Sequence, residues 1–97
     1  MALFVVRHQH PAEQCPARDP QLGNMLLNHL SEENAGRHGL KIHGEAVIDG
    51  QHTLYLILEA DDRSKVEGFM QPFTMAGTVE VWPASPCVEV VRRRGCG

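Results

Sequence analysis

His8 and His10 stand two residues apart at the polar end of the apolar run Leu3 to Val6, and Cys15 follows closely. In an extended chain, side chains at i and i+2 leave the same face, so the two imidazoles converge on one point. Cys15 lies in the stretch Pro11 to Pro20, which holds three prolines and no periodic pattern. It reads as a loop that can fold back over the strand end. Two neutral imidazoles and a thiolate suit copper or zinc, and nickel less well, with a fourth position open to water or another residue. His43, Met25, His29 and Cys87 are candidates for that position, His43 first among them. Metal affinity is expected to fall as pH drops through the histidine range, because protons compete for the imidazoles. The plainer alternative is a polar strand end beside a buried loop thiol.

The other histidines and methionines read more simply. His29 falls on an apolar helical stripe, where a desolvated imidazole needs a hydrogen-bond partner. His38 beside Gly39 suits a helix C-terminus, and His52 after a turn reads as exposed. Met25, Met70 and Met75 read as gap-filling core residues. An enzyme is the second reading. Its small-molecule pocket would lie between sheet and helices, lined by Phe4, Val6, Leu26, Leu56, Phe69 and Phe73, with Trp82 as a polar group. His8 or His29 would then be the general base. No Ser-His-Asp order, phosphate-cradling glycine loop or paired-carboxylate signature accompanies them. A third reading is a non-catalytic structural or regulatory dimer that uses none of these side chains.

The chain has 97 residues, 42% hydrophobic and 22% charged, which fits one modest domain and excludes a large enzyme with a separate cofactor domain. A formal net charge of -3 gives no reason to expect nucleic acid as a partner. The apolar runs fall far short of the roughly 20 residues a membrane span needs. Arg7 and His8 come too early for a signal peptide, so a cytoplasmic protein is expected. The three cysteines, Cys15, Cys87 and Cys96, lack zinc-ribbon spacing and read as reduced thiols. We expect a single domain over residues 1–91 and a basic, flexible tail over 92–97, which includes Arg92, Arg93, Arg94 and Cys96.

Several elements must position the candidate residues. Leu3 to Val6 is apolar on both pleat faces, as in a central strand. Asp19-Pro20 is a helix start, and Leu22, Met25, Leu26, His29 and Leu30 share one helical face. That helix either runs on to Arg37 or breaks and restarts at Ser31, and Gly39 stops it. Leu40 to Ile48 alternates like a strand. Asp49-Gly50 predicts a type I′ hairpin turn, and Thr53 to Glu59 returns with Leu54, Leu56 and Leu58 on one face and Tyr55 and Ile57 on the other. A second helix begins near Asp61 or Asp62, packs Val66, Phe69 and Met70, and ends at Pro72. Thr78 to Trp82 is a strand, and Pro83 and Pro86 separate it from a last extended piece, Cys87 to Val91.

The order strand, helix, strand, strand, helix, strand gives an α+β, ferredoxin-like βαββαβ fold: a four-stranded antiparallel sheet with two helices on one face. An open α+β sandwich with another strand order is the alternative. Leu3, Val5, Val47, Tyr55, Ile57, Val79 and Val81 put apolar groups on both faces, so a homodimer packed sheet to sheet is expected. The element order, Val6-Arg7-His8-Gln9-His10-Pro11 with Cys15-Pro16, Gln71-Pro72-Phe73, and Ala76-Gly77-Thr78-Val79-Glu80-Val81 resemble the stand-alone ferredoxin-like proteins that form a dimeric α+β barrel. In particular the chain resembles a group of small uncharacterised bacterial proteins, over Leu3 to Val91. The resemblance implies a superfamily of cofactor-independent monooxygenases, heme-degrading enzymes, lactone isomerases and metal-binding proteins. Fold alone does not choose among them. The reading carried forward is a small homodimer that binds a transition metal or small ligand near the end of the first strand.

Overall fold

The apolar run at the N-terminus forms β1 (Ala2–Gln9), with a strand on either side of it, in a computed structural model that describes residues 1–97. The sheet has the order β2 (Lys41–Ile48), β3 (Thr53–Ala60), β1, β4 (Thr78–Ala84), and every neighbouring pair is antiparallel. This is the ferredoxin-like strand order. Val6 sits opposite Leu56 on β3 and Val81 on β4. Phe4, Val6 and His8 of β1, with Leu54, Leu56 and Leu58 of β3, turn their buried side chains to one face.

That face is covered by α3 (Arg63–Met70), whose Val66, Phe69 and Met70 are buried, and by Ala35 of the short α2 (Glu32–Arg37). Asp62 caps α3: its carboxylate accepts from Lys65 N at 3.0 Å and from the Ser64 hydroxyl at 2.6 Å. Chiefly the Ser64 bond, with the Lys65 backbone bond, lowers the Asp62 pKa below its ordinary value. Pro72 follows the end of α3 and stands in a 3-10 turn, Gln71–Met75.

Between β1 and β2 the chain makes two helices rather than one. In α1 (Pro20–His29), Asp19 accepts from Gln21 N at 2.9 Å and Pro20 takes the first position. Ser31 then starts α2 by accepting from Asn34 N, and Gly39, at φ +77°, ends it. The stripe expected on α1 is only partly covered, because α1 packs on the turn Pro16–Arg18 and on α2 rather than across the sheet. Leu26, His29 and Leu30 are half-buried, whereas Leu22 and Met25 are exposed. Of the three methionines read as core, only Met70 is buried; Met25 and Met75 are exposed.

Three sequence expectations are corrected. Residues 49–52 link β2 to β3, with positive φ at Gly50 and His52 and not at Asp49, so the connection is longer than a two-residue type I′ turn. The last piece is not extended: Cys87–Arg92 is a helix, α4. The β1 pairing of β4 ends at Leu3 with Ala84, so beyond that point no strand is left to pair with. The backbone closes locally instead, through Glu89 N and Val90 N on Pro86 O. Finally, a bulge at His43 shifts the register between Ile42 and Gly44, so Val47 comes opposite Leu54 on the helix side. Val79 and Val81 also face the helices, opposite His8 and Val6. The open face carries Leu3, Val5, Tyr55 and Ile57 as expected, with Trp82 beside Val5.

Leu56 has no exposed surface, whereas Leu27 on α1 is 68% exposed. Leu56→Ala is expected to lower the unfolding free energy by about 2–5 kcal/mol, and Leu27→Ala by less than about 0.5 kcal/mol. Urea denaturation of the two variants side by side tests this placement of the core.

Candidate metal centre

Beyond Gln9 the antiparallel ladder continues for one further bond: His10 N donates to His52 O at 3.1 Å. This places residue 10 beside residue 52, with the two rings 5.3 Å apart between centroids. His52 is held at φ +52°, a region that residues other than glycine rarely enter. The chain after Pro11 then makes two consecutive 3-10 turns, Ala12–Gln14 and Pro16–Arg18, with Cys15 between them. Those turns bring the Cys15 thiol over the strand end. One ligand atom from each of His10, Cys15 and His52 lies within 4.8 Å of the others.

The converging set is therefore His10, Cys15 and His52 rather than His8, His10 and Cys15. His52, read from sequence as exposed because it follows a turn, is half-buried. The signal that finds it is register: with Phe4, Val6 and His8 facing the same side as Leu58, Leu56 and Leu54, the pair after Gln9 and Thr53 is His10 and His52. His8 is 4% exposed, and its Nδ1 lies 3.2 Å from Thr78 O. A carbonyl only accepts, so Nδ1 donates the proton. The His8 ring also meets Phe73 edge-on at 5.1 Å and lies 5.4 Å from the His10 ring.

His10 differs from its neighbour. Both of its ring nitrogens are covered, yet neither has a hydrogen-bond partner. Such a group is costly unless something else satisfies it. The backbone behind it is clamped: a Cβ on Gly77 would lie 2.0 Å from Gln9 O and 2.9 Å from His10 Cα. Only glycine allows the chain to pass so close.

A cavity of about 230 Å³ opens beside these residues, lined by His8, His10, Cys15 and His52 and by Leu26, Val47, Leu54 and Phe73, among others. The pocket foreseen from sequence thus keeps Leu26 and Phe73. Phe4, Val6, Leu56 and Phe69 are packed into the core instead. Trp82 pairs with Val5 on the opposite face and does not reach this cavity. His43, at the bulge, approaches Glu59 at 3.4 Å, away from the cluster. His29 donates to Phe69 O at 2.7 Å and stacks on the Phe69 ring, which makes it a satisfied histidine at the core margin. Met25 lines a separate depression with His29, and Cys87 is exposed at the start of α4. His38 stands at the helix end as expected, with Nδ1 donating to Asn34 O at 2.9 Å.

Burial, and then the nearness of His10, lowers the His8 pKa, with the Thr78 bond opposing; burial, and then His52, lowers that of His10. The unfolded chain takes up these protons near the ordinary imidazole value of about 6.5, before the folded chain does. Metal-free protein is therefore expected to be most stable above that value and to lose stability as pH falls through it towards the lowered folded-state values. Urea midpoints at about pH 7.5, 6.5 and 5.5 measure the slope, and the slope should flatten in His8→Gln, which removes one of the two groups. A profile identical in both proteins would contradict it.

No helix in the chain is long and apolar enough to cross a membrane. No curated protein matches the sequence. Residues 3–93, from β1 through α4, match the family described as Domain of unknown function (DUF3303), and the chain belongs to that family.

Proposed function

We propose that the protein binds one transition-metal ion, copper or zinc before nickel, through His10, Cys15 and His52, and that it works as a homodimer. The carrying observation is the convergence of those three donor atoms around an imidazole, His10, whose covered nitrogens have no partner. Imidazole and thiolate donors are the set these metals favour, and a metal ion would offset the cost of the unsatisfied ring. The lowered pKa of His10 keeps it neutral near pH 7, the form that ligates. His8 stands beside the ligands and, through its bond to Thr78, braces the strand end that carries His10.

The test uses protein without a histidine tag. About one Cu or Zn per chain is expected on metal analysis. The double variant His10→Ala, His52→Ala should abolish uptake, and Cys15→Ser should remove the thiolate-to-metal charge-transfer band of cobalt-loaded protein. Uptake unchanged in both variants would sink the assignment.

The dimer is supported by the open sheet face. Ile57, Val5 and Trp82 lie side by side there, and Ile57 and Trp82 are 46% and 42% exposed. The ion pair of Arg7 and Glu80, at 2.9 Å, lies on the same face and supplies polar specificity. Apolar groups in a contiguous row are better covered than left in water, and a second copy presents a self-complementary match. Sedimentation should give twice the chain mass of 10.8 kDa. Ile57→Lys with Trp82→Lys should yield monomers that still take up metal. A wild-type chain that sediments as a monomer at high micromolar concentration would refute the dimer.

A further inference from the structure

Three protein donors do not complete a tetrahedral centre. Where zinc or a similar ion has three protein ligands, the fourth position goes to water or to an incoming molecule. His10, Cys15 and His52 all line the cavity of about 230 Å³, whose remaining wall includes Leu26, Val47, Leu54 and Phe73. Of the other polar residues there, neither His8, whose Nδ1 donates to Thr78 O, nor Asp49, exposed on the β2–β3 connection, belongs to the converging set. The fourth position therefore has an apolar wall beside it and no protein donor assigned to it.

Size and chemistry narrow the occupant. Pockets for drug-sized ligands run from about 300 to 1,000 Å³, so this cavity admits something smaller. A centre that includes a thiolate favours soft donors, and sulfur packs well against an aromatic ring such as Phe73.

We infer that the centre takes a small aliphatic thiol as its fourth ligand, with the sulfur on the metal and the short alkyl chain between Leu26 and Phe73. This rests on the metal assignment above. On binding, a metal–sulfur bond would form as the bond to the fourth-position water breaks, the thiol proton leaving with that water to solvent, and no oxidation state would change. Leu26 on α1 and Val47 near the end of β2 set how long a chain fits.

The experiment titrates cobalt-loaded full-length protein with 1-propanethiol and follows the thiolate-to-cobalt charge-transfer band. The Cys15 band should roughly double in intensity and saturate. Azide, which has no alkyl body, should bind at least about 10-fold more weakly. Leu26→Trp, which fills the cavity, should keep the Cys15 band and weaken the propanethiol response by at least about 10-fold. Val47→Trp serves as a second obstruction if the first variant does not fold. A Cys15 band that does not respond to propanethiol overturns the inference and leaves metal binding intact. So does a response equal in wild type and obstructed variants, or cobalt stripped from the protein by the thiol. Absence of the Cys15 band overturns both.

Discussion

The pairing of β1 on both edges is the constraint on which the rest depends. Because β1 lies between β3 and β4, its end must pass between the turn that starts β3 and the segment that starts β4. On one side His10 is bonded to His52 O; on the other Gly77 closes against Gln9 and His10 without room for a side chain. Two backbone contacts thus hold the residue whose imidazole is left without a partner. The third side chain of the cluster, Cys15, arrives instead between two 3-10 turns whose prolines, not the sheet, shape the chain.

Two histidines on the same face of the same strand meet different fates. His8 falls where a carbonyl of β4 is in reach, so its burial is compensated and Phe73 can pack on it. His10 falls one ladder step outside the regular strand, where neither neighbour offers an acceptor or donor to its ring. The strand periodicity that makes both rings share a face does not make them equivalent, because satisfaction depends on what stands opposite each.

Much of the scaffold was legible in local pattern. The alternation of Leu54, Leu56 and Leu58, the caps at Asp19, Ser31 and Asp62, and the stop at Gly39 are each decided by a few neighbouring residues, and the structure has them all. What escaped was set by distant partners. The bulge at His43 depends on how β2 matches β3, and it sends Val47 to the other face from the one its alternation implied. Val88, Val90 and Val91 have strand-like side chains, but with no strand opposite they coil into α4. His52 likewise carries no local mark of function, since its meaning comes only from standing opposite His10.

The left-handed backbone at His52 gives that position a divided character. A side chain with a Cβ costs roughly 1–2 kcal/mol in that conformation, and glycine would remove the cost. Glycine would also delete an imidazole from the cluster. Thermodynamic improvement and retention of the cluster therefore pull in opposite directions at residue 52. A search for more thermostable versions of this chain, made without regard to the cluster, would be drawn to dismantle it there first.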